Sequence, residues 1–410
     1  MSQQFVLAFA LLGDKTMPAI ARIAELHDEF KSIRHYFHQY PELSGQEFKT
    51  AEKIAQYLES WGIEVHRNFG GTGLVGVLKN GDGTKSVALR ADMDALAVEE
   101  ANQFEHASKN KGVMHACGHD GHITTLLLAA RYLSETKNFN GTVYFVFQPA
   151  EENGQGADSM INAGLMEKFP ADYYFGCHNW PETPNQKIGI NRQAIMASGN
   201  EFWIEIQGRG SHGALPNLSV DPIFVAVQVY NAIQGVMTRI KRPIDPAVLS
   251  ICQIVAGTTY NVVPNTAKLV GTVRTFSHDV TVMIHKEMEK IAQAVAAGFG
   301  ATATMHFIYQ NPPVTNHPAC VDMVAEAATE LYGPEILHDQ EPVMPAEDFS
   351  KYLELCPGAF FFVGNGKGEH RATGHGDGPC ALHNASYDFN DESLTLGASV
   401  FARVIEKYMR

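Results

Sequence analysis

The densest run of chemically capable residues is His115-Ala116-Cys117-Gly118-His119-Asp120-Gly121-His122, at the mouth of a helical pattern that starts near Gly121. Thiolate with imidazole suits zinc and other borderline-soft transition metals. Cys117 and His119 are two apart, so an extended backbone would turn both side chains to one side. Taken alone, the spacing is better read as a buried cysteine beside surface histidines that cap a helix, until other ligands are found. A second run, Gln148-Pro149-Ala150-Glu151-Glu152, stands where the apolar strand pattern Val143–Phe147 ends. Neighbouring side chains diverge in an extended segment. One glutamate could then hold a metal ion while the other, uncoordinated, serves as general base. The competing reading is an acid-rich helix N-terminus, which the helix dipole favours. Cys177-His178-Asn179-Trp180 closes the next strand pattern, and Cys380-Ala381-Leu382-His383-Asn384 offers a late histidine.

These clusters need elements to hold them together. Residues 18–39 and 46–61 carry apolar positions at helical spacing, the second run stopping at Gly62. Strand patterns follow at Gly73–Leu78, Ser86–Arg90, Thr142–Phe147 and Ala171–His178, with a helix over Gly121–Ser134. Strands alternating with helices predict an α/β layer with a mostly parallel central sheet flanked by helices. Open sheets of that kind place their sites at the carboxyl ends of strands, where the Glu pair and His178 fall.

The texture changes near residue 195. Strands at Asn200–Gln207, Ala247–Val255, Ala267–Thr275 and Thr302–Tyr309 alternate with helices at Pro222–Arg239 and His278–Phe299. This β-α-β-β-α-β order predicts a ferredoxin-like α+β module. Asn311-Pro312-Pro313 marks its end, and helices resume near 318–332 and 390–408. The expected organisation is a catalytic domain built from residues 18–193 and 311–410, interrupted by a module over 194–310.

Composition bounds the rest. The 410 residues hold 31 Lys plus Arg against 45 Asp plus Glu, a formal net charge of −14, which argues against nucleic-acid or anionic-membrane partners. Neither a membrane span nor a signal-peptide core is expected, because the apolar segment Phe5–Leu12 is short and no basic residue precedes it. Six scattered cysteines form no disulfide framework, which points to a reducing compartment, the cytoplasm.

Together, Leu89-Arg90-Ala91-Asp92-Met93-Asp94-Ala95-Leu96, His115–Asp120 and Gln148–Glu152 resemble the aminoacylase/carboxypeptidase family of dinuclear metal amidohydrolases. Within it the chain looks like the branch of hippurate hydrolases, N-acyl-amino-acid amidohydrolases and indole-acetyl-amino-acid hydrolases. Further matches are Gly208–Ala214, Val263-Pro264-Asn265, Gly271–Phe276, Ala346–Phe349 and His383-Asn384, all in order from about Ile33 onward. The resemblance implies a metal-binding domain interrupted by a lid or dimerisation domain, through which chains form a homodimer or homotetramer. It implies two divalent ions per chain, zinc first, with Mn, Co or Ni as alternatives, held by Cys117, His119, Glu152, His178 and His383. Glu151 falls at the general base. His212 falls at a lid histidine that polarises the scissile carbonyl, often from the partner subunit. Asn265 and Arg274 fall at substrate-holding lid positions, the arginine gripping the substrate carboxylate.

The implied reaction is hydrolysis of the amide bond of a small-molecule N-acyl amino acid, with dipeptides or carboxypeptidase substrates as the alternative. Ala97, Ser211, Pro184–Lys187 and Asn384-Ala385-Ser386 depart from the family's usual pattern. None of them removes a proposed ligand or the base; they blur the acyl preference. A cysteine hydrolase using Cys117 as nucleophile would leave Glu152, His178 and His383 without a shared purpose. A non-catalytic metal-binding protein would have no need of Glu151.

Overall fold

The computed structural model describes residues 20–410; the segment Phe5–Leu12 and the first two positions of the expected 18–39 helix lie outside them. An eight-stranded mixed sheet runs, in spatial order, Glu64–Phe69, Gly73–Asn80, Gly141–Gln148, Ser86–Asp92, Tyr173–Trp180, Gly358–Gly364, Ile188–Ile190 and Leu337–Asp339. The four central strands, from Gly141–Gln148 to Gly358–Gly364, are mutually parallel. Antiparallel pairings flank them on both sides. One further parallel pair, Ile188–Ile190 with Leu337–Asp339, lies at the edge, and the clusters sit at the parallel centre.

Both faces of this sheet are covered, so its central strands are apolar without a polar side. Leu89, Phe145, Phe147, Phe175 and Phe361 point into one core. Ala88, Val146, Tyr174, Phe360 and Phe362, their neighbours in sequence, point into the other. Helices Ala21–Glu25, His27–Gln39, His119–Thr136, Pro318–Tyr332 and Ser393–Tyr408 supply the first core. The 18–39 pattern resolves into two helices because the chain turns at Leu26. Helix His119–Thr136 is buried almost all round, from His119 through Leu133, since it runs between the sheet and four other helices, Ala21–Glu25, His27–Gln39, Phe48–Ser60 and Ser393–Tyr408.

The second sheet is four-stranded and wholly antiparallel: Ala247–Ala256, Thr266–Thr275, Gly199–Gln207 and Thr302–Asn311. Its order, second-third-first-fourth in the chain, is that of a ferredoxin-like unit. Helices Pro222–Gly235 and His278–Gly298 cover one face around Phe202, Ile204, Leu269 and Met288, a core of its own. Asp221 caps the first of these, its carboxylate accepting from the amides of Ile223 and Phe224, with Pro222 at the first helical position.

Candidate metal centre

The clusters converge at the carboxyl ends of the central strands. Cys117, His119 and His178 bring ligand atoms within 4.8 Å of one another, as do Cys117, Glu152 and His383. These two groups share Cys117. A third group, His119, Glu151 and Glu152, ties the expected base to both. All five expected ligands and Glu151 thus fall in one cleft.

Two local expectations need correction. The backbone between Cys117 and His119 is not extended: Gly118 is left-handed (φ 85°) and His119, not Gly121, opens the helix. Cysteine and histidine face the same space because the chain folds over at Gly118. A Cβ there would lie 2.3 Å from Nδ2 of Asn179 and 2.6 Å from the Tyr387 hydroxyl, so glycine is required twice over. Nor are Glu151 and Glu152 extended. They open a tight turn in which the Gly154 amide donates to the Glu151 carbonyl at 2.7 Å. Ala150 enters that turn at φ 53°, a sparsely populated conformation for a residue with a Cβ. His383 is likewise at φ 63°, and its amide donates to the Ala116 carbonyl at 2.7 Å.

Hydrogen bonds assign roles among the histidines. Nδ1 of His178 donates to the Asn179 carbonyl at 2.6 Å, which leaves Nε2 as a lone pair 3.5 Å from the Cys117 sulfur. His122 is fully occupied: Nδ1 donates to Asp92 at 2.6 Å, and Nε2 accepts from the amide and side chain of Asn179 at 3.0 and 2.9 Å. It braces the site and has no free lone pair. Both ring nitrogens of the wholly buried His119 lack hydrogen-bond partners, as does Oε1 of Glu152, 3.8 Å from His119 Nε2. Asp94 stands 3.3 Å from His119 Nδ1 without alignment for a hydrogen bond. Unpaired buried groups are costly, and a cation between them would satisfy both.

Electrostatics point the same way. Burial alone would lower His119, but Asp92, Asp94 and Glu152 lift it to about 10. Burial, with Glu347, Glu152, Asp348 and Asp94, pushes Glu151 well above the usual carboxylate range. Burial and the nearby carboxylates raise the Cys117 thiol. Glu151, Glu152 and the Cys117 thiol, crowded by other carboxylates until they resist ionisation, mark a place where divalent cations fit. The donor set of one sulfur, three imidazoles and one carboxylate suits zinc and its neighbours among the transition metals.

Several participants escaped the sequence reading. Arg90, fully buried, pairs with Asp92 at 2.8 Å, Glu347 at 2.8 Å and Asp348 at 3.0 Å behind the base. Asp94 accepts from the Ser44 hydroxyl at 2.6 Å and from the Glu152 amide at 3.0 Å, anchoring the ligand's backbone. The rule that singled out Glu151 would have found Asp92 and Asp94, since they too end a central strand.

The remaining expected residues lie in the second unit, outside these donor groups. His212 is exposed in the two-residue strand Ser211–His212, its Nδ1 accepting from the Ala214 amide at 3.1 Å. Asn265 spends its side-chain oxygen on the Gly210 amide at 2.8 Å. Arg274 is half-buried against Gly199, and burial lowers its guanidinium with only Glu201 opposing.

A doubly covered sheet with a buried sulfur, imidazole and carboxylate cleft at its carboxyl ends, plus an inserted ferredoxin-like unit, defines a class of metal-dependent hydrolases. The chain belongs to Peptidase family M20/M25/M40, which it matches over residues 88–407. It is 39% identical to a hippurate hydrolase of Campylobacter jejuni, over 96% of this chain and 100% of that protein. It is 37% identical to thermostable carboxypeptidase 1 of Saccharolobus solfataricus, over 94% and 97%. A crystal structure from Bacillus subtilis, described as a dinuclear metal-binding peptidase of the M20 family, superposes with a TM-score of 0.81 at 33% identity, covering 93% of this chain and 98% of that one.

Proposed function

We propose that this protein is a metal-dependent amidohydrolase that cleaves the amide bond of small N-acyl amino acids, releasing a carboxylic acid and a free amino acid. The observation that carries this reading is Glu151: a carboxyl group beside the ligand groups, in none of those built on Cys117, with its basicity raised by its surroundings. We assign Cys117, His119, Glu152, His178 and His383 as ligands of two divalent ions, zinc first, with Mn, Co or Ni as alternatives. Bound there, the ions would supply Lewis acidity and lower the pKa of water.

The chain's own residues would then act as follows. Glu151 takes the proton of the attacking water and passes it to the leaving amine. Arg90 balances the charge of Asp92, Glu347 and Asp348 behind it. We assign His212 to the oxyanion, and Asn265 and Arg274 to the substrate, Arg274 gripping its carboxylate through two parallel hydrogen bonds. His212 is exposed and takes no part in its own chain's donor groups, which favours a role in the partner's cleft. We therefore read residues 194–310 as a lid and dimerisation domain of a homodimer or homotetramer, inserted between 18–193 and 311–410. Exposed Ile223, Phe224 and Val227 on helix Pro222–Gly235, and Ile254 and Val255 on the edge strand, support that surface. The compartment we propose is the cytoplasm, since all six cysteines are free. No described helix is long and apolar enough to cross a membrane.

The likeness to a carboxypeptidase keeps a second substrate class in play. A panel of N-acetyl, N-benzoyl and indole-acetyl amino acids against dipeptides decides between them. Turnover of the acyl series with little of the dipeptides is the expected outcome; the reverse order overturns the assignment.

A further inference from the structure

The turn that carries Glu151 and Glu152 is gripped at its tip by two side chains outside the ligand groups. Nε2 of Gln310 donates to the Asn153 carbonyl at 2.9 Å. Nζ of Lys351 donates to the Gly154 carbonyl, also at 2.9 Å. Lys351 is only 8% exposed, and Asp158 fixes its ammonium at 2.5 Å. Gly154 lies at φ 69°, and a Cβ there would come within 2.3 Å of Gln310 Nε2, so glycine is what admits the glutamine.

The turn is closed on itself by the Gly154 amide on the Glu151 carbonyl, the Gly156 amide on the Ala150 carbonyl at 3.0 Å and the Gln155 amide on Oδ1 of Asn153 at 3.0 Å, and it is anchored to its surroundings at its root. The Ala150 amide donates to Glu47 at 2.9 Å and the Glu152 amide to Asp94 at 3.0 Å. Without the two grips, the closed turn could rock as a unit about its root. Gln310 sits on Thr302–Asn311, the last strand of the second sheet, just before Pro312-Pro313. Lys351 follows Glu347 and Asp348 on the helix Ser350–Leu355. Both line a cavity of about 370 Å³ with Asp158, Ser198, Asn200 and Asn311, so the two units face each other there across a gap. Across that gap the Gln310 hydrogen bond links the last strand of the second sheet directly to the turn.

We infer that Gln310 and Lys351 are positioning residues for the base, and that Gln310 makes the placement of Glu151 depend on how the inserted unit is seated. This rests on Glu151 acting as the base. Losing a grip should shift the carboxylate by a fraction of an ångström, enough to slow proton transfer without altering substrate contacts.

The test compares Gln310→Ala, Gln310→Glu, Gln310→Lys and Lys351→Met in the full chain loaded with metal. Gln310→Ala should lower kcat roughly tenfold, the scale of one hydrogen bond, with KM almost unchanged. Gln310→Glu keeps the size but sets an acceptor against a carbonyl, so it should lose at least as much. Gln310→Lys retains a donor and should recover part. Amide hydrogen exchange over residues 150–156 should quicken in Gln310→Ala and Lys351→Met while the central strands stay protected. Wild-type kcat in Gln310→Glu, or unchanged exchange in that segment, overturns the inference. Glu151→Gln measured alongside separates the two ideas: full activity there sinks the base assignment itself, whatever the grips do.

Discussion

The cleft at the carboxyl ends of the central strands and the loops of the inserted unit carry their polar residues in opposite ways. In the cleft, His119, Asp92, Asp94 and Arg90 are buried, and their charges are held within hydrogen-bonding reach of one another. In the inserted unit, His212 is exposed and Asn265 serves its own loop. The first arrangement draws all its donor groups from one chain, with His119 and Glu152 left unpaired for a cation. The second fits the proposal that a substrate or a second chain comes to it. Rigid burial suits metal ligation, which tolerates little misplacement, whereas exposed groups suit contacts made and released in each turnover.

The comparison breaks most completely if the cleft does not need metal. Dialysis against a chelator should abolish hydrolysis, and added divalent ion should restore it; activity that survives full metal removal contradicts the account.

Next in size is the buried charge network that backs the cleft. Arg34, with no exposed surface, holds Asp391 at 2.8 Å, Asp388 at 3.1 Å and Asp120 at 3.4 Å. Asp388→Asn should cost about 3–5 kcal/mol of stability at neutral pH by urea unfolding, the scale for breaking a buried ion pair. Burial opposes ionisation of Asp388 and Asp391, but Arg34 outweighs it and holds both below the usual carboxylate range. Their stabilisation is therefore complete above the unfolded value of about 4 and lost as pH falls through the folded values. The gap between wild type and variant should close in acid. His38 works with the opposite sign. Burial resists its charge, yet Asp120 and Glu100 lift it to about 10. Its share is full below about 6.5 and fades as pH rises through 10.

In the inserted unit the effects should be large on rate and small on folding. His212→Ala should lower kcat by about 10²–10³-fold, as loss of one oxyanion donor does. Mixing it with inactive Glu151→Gln should restore activity in heterodimers once subunits exchange. Failure to recover despite proven exchange would place His212 outside the partner's site. Arg274→Ala should lose about 2–4 kcal/mol of kcat/KM, and it should treat a substrate acid and its amide nearly alike. Discrimination equal to wild type would show that another residue reads the carboxylate.

The alternation of apolar runs made the layered sheet and the ferredoxin-like order legible, because period 2 and period 3.6 survive in sequence. Pro318–Tyr332 stands where the pattern places a helix near 318–332. Short strands such as Ile188–Ile190 and Leu337–Asp339 were not, for three residues carry too little pattern. Gly358–Gly364 was missed although its Phe360-Phe361-Phe362 run is as apolar as a central strand requires. At the site, residue types were legible and backbone shape was not. The left-handed Gly118 and the turn at Ala150 depend on Asn179, Tyr387 and Glu47, far away in sequence. Arg34 and Asp388 stand 354 residues apart, so no local pattern announces their pairing.

The central claim is that two adjacent glutamates divide the work, Glu152 holding metal and Glu151 moving the proton. The direct measurement is bound metal per chain together with kcat for Glu151→Gln and Glu152→Gln, each purified under the same conditions. Glu151→Gln should keep the metal content of wild type and lose at least ~10²-fold in kcat, while Glu152→Gln should lose bound metal. Normal metal in Glu152→Gln with depleted metal in Glu151→Gln would contradict the account and exchange the two roles.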